Sequence, residues 1–423
     1  MKIRFNPKEF LPKLRLVRNA VAVSKPTASL HNIKIVAKEI YFGAELQARN
    51  RELEIRVRVD CDVEQDGSVL VPANDFIDML ALEKEKPMVL ERMDEGAMLK
   101  WDDEEYCTFL TESPDTFLDV SDFAAESYHE IPTEVMQELI RRTVFAAAKK
   151  SVSYALSGVC FDAEEESINA VAIDGLCMAW QRATGKVIGN PIIKSAVIPV
   201  KTLELLDRIL KNKSFFHWDV VHMAMDEETV LFQGEDFVLS SSLYCGKYPQ
   251  WKSYIPNMKE TACVTINCGE LYMAMESIQA AIKDAEKPEV ALTFERDRLT
   301  LEAQKKKTEK MTLVIPASFN GRAVVIINPA HLPRMLNLFD AGTNLSIHLS
   351  GNQPVMVKTA DHFTYLVTPC SDIEWDAEPE GTRAANVVPE NKPVMATPKQ
   401  KQQLLPTFTA KHVSKPKRTY KNR

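Results

Sequence analysis

Hydrophobic positions along the chain fall into one pattern three times: a β-rich apolar run, a proline, then an amphipathic helix. The first copy is Ser68-Val69-Leu70-Val71-Pro72 followed by Asp75-Phe76-Ile77-Asp78-Met79-Leu80. The second is Ala196-Val197-Ile198-Pro199 followed by Leu203 to Leu210, and the third is Val324 to Pro329 followed by Leu332-Pro333-Arg334-Met335-Leu336. Pro72, Pro199 and Pro329 are 127 and 130 residues apart. Pro beside a helix start costs little, because its missing N–H would have no partner there.

A second helix is expected near the start of each unit. Phe10, Leu14, Val17 and Val21 form one apolar stripe, and Leu271, Met275, Ile278 and Ile282 repeat its spacing. Asn267 and Glu270 form a capping box for the third-unit helix. In the middle unit the buried side is Val135, Leu139 and Val144. Period-two alternation predicts strands at Leu53–Val59, at Leu345–Leu349 and within 230–240. Each unit thus holds about two helices and several strands. The fold class is α+β: three tandem similar domains, with two helices packed on antiparallel sheet in each. The expected boundaries are 1–126, 127–258 and 259–376, with a tail at 377–423.

Composition sharpens this picture in two places. The tail, from Glu378, carries ten Lys/Arg against three Asp/Glu, a net +7 within a chain of net charge −7, so the remaining body is −14. The tail is rich in Pro, Lys, Gln and Asn and is expected to be disordered. An acidic body repels DNA in bulk, so a nucleic-acid role requires local basic surfaces.

Eight cysteines at 61, 107, 160, 177, 245, 263, 268 and 370 include no CxxC pair and read as reduced thiols. Met1–Pro7 has no apolar h-region and no apolar run is long enough to span a membrane, so the expectation is a cytoplasmic protein without membrane partners. No phosphate-binding loop, dinucleotide fingerprint, nucleophile elbow or HExxH appears in the 423 residues. His217 and His222 lack the i, i+4 spacing of helical metal ligands. Asp102-Asp103-Glu104-Glu105 and Glu164-Glu165-Glu166 read as solvated turns. No enzyme activity, catalytic residue, metal or cofactor is expected.

The middle unit carries a resemblance. Leu156-Ser157-Gly158-Val159-Cys160-Phe161, then Val171-Ala172-Ile173-Asp174-Gly175-Leu176-Cys177-Met178-Ala179, then Val197-Ile198-Pro199 and Gly246-Lys247-Tyr248-Pro249 stand in order. Together they resemble the middle domain of the bacterial DNA polymerase III beta subunit, the sliding-clamp family. The first unit fits through Lys25-Pro26-Thr27, Asn32, Leu53-Glu54-Ile55 and Val71-Pro72-Ala73, and the third through Ile327-Asn328-Pro329 and Tyr365 to Pro369. The resemblance covers residues 1 to about 375.

The resemblance implies a polymerase processivity factor: a head-to-tail homodimeric ring around duplex DNA, without base readout. Its implied partners are a replicative DNA polymerase and a clamp loader. The in-class alternative is a divergent clamp paralogue, or an interaction scaffold, that does not serve the main replicase. Expected DNA contacts are Lys25, Lys149 and Lys150 in loops, Arg15, Arg18, Arg141 and Arg142 on or beside the first helices, and Lys201, Arg208 and Lys211 after Pro199. The family's partner-peptide cleft maps onto Leu156, Ile173, Gly175, Leu176, Cys177, Met178, Pro249, Tyr254, Asn328, His331, Val367, Thr368, Pro369 and Cys370.

Two departures are visible. Leu176-Cys177 replaces the family's His-Arg, and Thr368-Pro369-Cys370-Ser371 replaces Met-Pro-Met-Arg before the chain runs on. The expected cleft is therefore greasier and poorer in hydrogen bonds. Within the tail, Gln402, Leu405 and Phe408 have a spacing similar to clamp-binding peptides, which suggests docking in this chain's own or a neighbour's cleft.

Overall fold

A computed structural model describes residues 1–22, 28–82, 86–102, 104–149, 154–164, 167–189, 195–212, 219–256, 262–306, 309–319, 321–350, 353–370 and 374–375. The tail from 377, including the 402–408 motif, lies outside the described residues.

Each repeat uses the same local device twice, a strand that leads into a helix, directly or, before Leu332, through a short turn. The described helices are α1 (Pro7–Val17), α2 (Ala73–Leu82), α3 (Thr133–Arg141), α4 (Val200–Lys211), α5 (Cys268–Ala281) and α6 (Leu332–Leu336). Four of these starts have a visible chemical cause. The Asn6 side chain accepts from the Lys8 N–H at 3.0 Å, with Pro7 in the first helical turn. The Asn267 side chain accepts from the Glu270 N–H at 3.0 Å, the capping expected there. Pro132 and Pro199 end their strands with φ of −54° and −57° and occupy the cap, where no N–H is needed.

Phe10, Leu14 and Val17 are fully buried on α1, and Leu271, Met275 and Ile278 on α5. Three details differ from the sequence reading. Val21 is only half-buried, because α1 tightens into a 3-10 turn at Arg18–Ala20. On α3 the fully buried set is Met136, Leu139 and Ile140, and Val135 is half-buried. The helix after Pro329 is only five residues long, with Pro333 in its first turn.

The helices pair within each repeat, α1 with α2, α3 with α4 and α5 with α6, and all cover antiparallel sheet. Two of the four sheets are shared between repeats. A nine-stranded sheet forms where Leu53–Asp60 pairs with Phe237–Ser242, Ile55 opposite Leu239. An eight-stranded sheet forms where Cys177–Thr184 pairs with Phe363–Val367, Ala179 opposite Tyr365. These junctions make Met1–Thr382 one compact unit. The two terminal five-stranded sheets end on Tyr106–Phe109 in the first repeat and Glu309–Pro316 in the third.

Alternation along Leu53–Asp60 sends Ile55, Val57 and Val59 into the main core and leaves Arg56 and Arg58 on the outer face. No described helix is long and apolar enough to cross a membrane. Among the described residues no group of three or more His, Cys, Asp or Glu is placed to hold a metal ion.

Candidate functional site

Two regions carry the residues singled out in the sequence: the helical face and the outer face of the second junction. On the helical face, Arg15, Arg18, Lys149, Lys201 and Arg208 are exposed. Arg18 Nε donates to Asn74 Oδ1 at 2.6 Å. Arg208 Nη1 donates to Asn19 Oδ1 at 3.2 Å, across the first junction. Asn19 in turn donates through Nδ2 to the carbonyls of Arg15 and Leu16, both at 2.9 Å, at the end of α1. Among the described residues none of these five cations has a carboxylate partner.

The outer wall is different. Lys34, Arg49, Arg56 and Lys252 there are each ion-paired, at 2.6 to 3.3 Å. Lys25 and Lys150 lie outside the described residues.

Three of the expected contacts change on this view. Arg142 is buried, 4% exposed, and cannot meet a phosphate. Its guanidinium pairs with Glu138 at 2.5 Å and with Asp361, donates to Gln181 Oε1 at 3.0 Å, and lies 4.9 Å from the Phe339 ring centroid. Burial alone would raise the Asp361 carboxyl, but hydrogen bonds from Arg142 and Thr359 hold it below its ordinary value. Arg142 is thus a latch between the second and third repeats. Lys211 is exposed but taken by Asp207 at 2.5 Å. Arg141 is exposed and donates to the Leu338 carbonyl at 2.5 Å. Arg51 and Arg334, exposed beside the same helices, had no signal in the sequence, being single charges in a turn and in a five-residue helix.

At the second junction the strand alternation divides the expected cleft residues between two faces. Cys177 and Val367, opposite each other in the sheet, face the main core beneath the helices. Ile173 and Met178 face outward, into a separate cluster with Cys160, Val171, Val197, Trp251, Met356 and Leu366. Half-buried Leu156, Trp180, Tyr244, Tyr248 and Ile255 pack against it. The segment after Ser242 covers this cluster. Tyr248 Oη donates to the Val171 carbonyl at 3.0 Å, and the Trp180 and Trp251 ring centroids are 5.1 Å apart.

The rim of the cluster is built by a tight turn. Asp174 Oδ1 accepts from the N–H groups of Leu176 and Cys177 at 2.9 and 2.7 Å, and Gly175 has φ of +97°, a conformation that favours glycine. The turn leaves Leu176 55% exposed, near the same value as Tyr254 at 45%. The Thr368 N–H donates to the Leu176 carbonyl at 2.9 Å, and the Cys370 N–H to the Ile326 carbonyl at 2.7 Å. Thr368 and Cys370 are exposed, whereas Pro249, Asn328, His331 and Pro369 are half-buried. Asn328 caps its own turn through the Ala330 N–H at 3.0 Å. The His331 carbonyl accepts from Tyr365 Oη at 3.0 Å, and burial lowers its imidazole against the opposing pull of Asp174. Burial pushes the Cys177 thiol up to about 12 and the Cys160 thiol to about 11, so neither is a thiolate nucleophile at neutral pH.

Comparison with known proteins gives these two faces a context. Residues 130–250 match the family described as DNA polymerase III beta subunit, central domain. The beta sliding clamp of Bacillus subtilis (strain 168) is 23% identical over 386 residues, covering 84% of this chain and 97% of the relative. That of Vibrio cholerae is 22% identical over 375 residues, covering 87% and 99%. Among solved structures, a sliding clamp (DNA polymerase III subunit beta) from Pseudomonas aeruginosa bound to griselimycin superposes with a TM-score of 0.79 at 21% identity, over 88% of this chain and 99% of that one.

Residues 130–250 carry the central domain of the DNA polymerase III beta subunit family, and the chain as a whole is similar to beta sliding clamps. Its fold is the clamp fold, as the repeat in the sequence and the resemblance implied. The outer cluster depends on residues that the family strings left out. Trp180, Met356 and Leu366 come together through the pairing of Cys177–Thr184 and Val355–Lys358 with Phe363–Val367, and Trp251 reaches them from the covering segment. Trp180 lies two residues from Met178, where the two-residue strand period finds it, and Leu366 lies opposite Met178 in the neighbouring strand.

Proposed function

We propose that the chain is a non-enzymatic DNA polymerase processivity factor. Two copies close head to tail into a ring around duplex DNA, and partners dock on the outer cluster of the second junction. We take residues 1–126, 127–258 and 259–376 as its three units. The replicative polymerase and the clamp loader are the partners in this reading, and the site of action is the cytoplasm.

One observation carries it. Both internal junctions join the same two kinds of strand. Leu53–Asp60 of the first repeat and Cys177–Thr184 of the second are each the last of four consecutive neighbours in the sheet order, and each pairs with a strand of the following repeat. Glu309–Pro316 of the third repeat is the equivalent last strand, and among the described residues no further repeat pairs with it. Tyr106–Phe109 of the first repeat is the equivalent of the strands that receive the pairing. A second copy supplies each with its partner, and a heterologous contact of this kind that closes makes a ring. Exposed Tyr106 and Leu110 on one end and Val314 on the other provide apolar area for it. The carboxylate-free cations of α1 and α4 support DNA as the enclosed ligand.

The test is topological. After loading, the protein stays on a nicked circular duplex through a high-salt wash and leaves when the circle is cut. Equal loss from circular and linear DNA would remove the ring reading and favour the scaffold.

A further inference from the structure

Three hollows share lining residues and so form one trough beside the helices. The middle hollow, about 650 Å3, takes Asn19, Asn50 and Arg51 from the first repeat and Lys201, Arg208 and Tyr244 from the second. It shares Asn19, Val21 and Ala22 with a hollow of about 390 Å3 that holds Arg15, Arg18, His31 and Asn74. It shares Lys201, Glu204 and Tyr244 with a third, about 530 Å3, that holds Lys149 and Arg334.

The charge in this trough is one-sided. Its lining acids are Glu52 and Glu204. Two of its arginines are positioned by neutral amides: Arg18 by Asn74 at 2.6 Å and Arg208 by Asn19 at 3.2 Å. An amide fixes a guanidinium without neutralising it. The charge is left for an outside anion, and part of the ordering entropy is met before binding. Asn19, Asn50 and Asn74 add the neutral hydrogen-bonding groups that phosphate and sugar oxygens use.

Two of the other helices lack this chemistry. α5 contains no Lys or Arg and carries Glu270 and Glu276. α2 contains none either and carries Asp75 and Asp78. Positive charge on the helical face is therefore concentrated along the trough rather than spread evenly over the helices.

We propose that this trough is the seat of one sugar–phosphate backbone, and that the duplex passes α2 and α5 without phosphate contacts there. In a closed two-copy ring the DNA is then held at two opposed seats, one at each first junction. The inference rests on the DNA reading above. It adds Arg51, Asn19 and Asn74 as positioning or contacting groups and leaves Arg334 as the third repeat's contribution to the seat.

The test compares two full-length triple variants of equal charge, read by anisotropy of a short fluorescent duplex over a salt series. The first is Arg18→Gln, Arg51→Gln and Arg208→Gln. The second is Lys283→Gln, Lys287→Gln and Arg296→Gln, all exposed in the third repeat. Unfolding curves of both confirm folding. The expected result is a fall of about 0.9 per lost contact in the slope of log affinity against log salt for the first variant, with the wild-type slope in the second. Equal slopes in both variants, whether both reduced or both unchanged, would overturn the seat while leaving DNA binding in place. No duplex binding by the wild-type protein at low salt would overturn the DNA reading itself.

Discussion

The two junctions are made by the same strand pairing, yet their outer faces are opposites. At the first, the strand Leu53–Asp60 turns Glu54, Arg56 and Arg58 outward, and the linker to the second repeat engages Glu54 and Arg56 while Arg58 stays exposed. Asp119 pairs with Lys34 and Asp122 with Arg56, both at 2.6 Å, while Phe117 and Val120 bury themselves at 4% and 3% exposure. At the second, the strand Cys177–Thr184 turns Met178 and Trp180 outward, and the covering segment adds Trp251, Tyr248 and Ile255 to an apolar cluster. Leu176 and Tyr254 stay exposed at its margin. One backbone solution therefore yields a polar, ion-paired seam in one place and an apolar outer face in the other. The difference lies in which side chains occupy alternate strand positions, and backbone topology alone does not reveal it.

The comparison breaks most severely at Trp251. Truncation to Ala removes a buried ring that stacks near Trp180, and the expected cost is about 3–5 kcal/mol by chemical denaturation. It also abolishes partner docking at the second junction. A loss under 1 kcal/mol would mean that the covering segment is not part of the core.

Next in size is the latch behind that face. Arg142→Met leaves the Glu138 and Asp361 carboxylates without their cation, at an expected cost of about 2–3 kcal/mol. The pH sign follows from Asp361, whose folded carboxyl lies below its ordinary value. Its contribution is fully present above the unfolded carboxylate range and is lost as pH falls through the folded value. Wild-type stability therefore drops on acidification in a step that the Met variant lacks. A parallel acid profile in both proteins would contradict the latch.

Leu176→Glu separates docking from folding. The side chain is exposed, so stability should stay within about 0.5 kcal/mol of wild type. Affinity for the polymerase should fall at least tenfold, about 1.4 kcal/mol, because a charge replaces an apolar rim contact. Retained affinity, measured by calorimetry, would move the docking face elsewhere. The smallest effect belongs to the first junction. Arg56→Met deletes an ion pair with the exposed Asp122, and such pairs contribute about 0–1 kcal/mol. Polymerase affinity should not change; if it did, the two outer faces would not be distinct.

The repeat, the class and most helices were legible in the sequence because amphipathic spacing and prolines at helix starts report local physics. Phe10, Leu14 and Leu271 follow that logic directly. Arg142 was not legible. Its charge suggested solvent, and only the fold brings Glu138, Asp361 and Phe339 around it. The trough was illegible for the same reason, since Asn19 and Arg208 meet across 189 residues of chain. The cleft was half legible. Its positions were named, but a strand's two faces cannot be told apart until the sheet's covering layers are known.

The central claim is that two chains complete each other's sheets. Light-scattering mass with negative-stain imaging on one sample tests it most directly. The account predicts a closed six-lobed ring of about twice the 47.7 kDa chain mass, with a central hole that admits a duplex. A crescent of single-chain mass at micromolar concentration would contradict it.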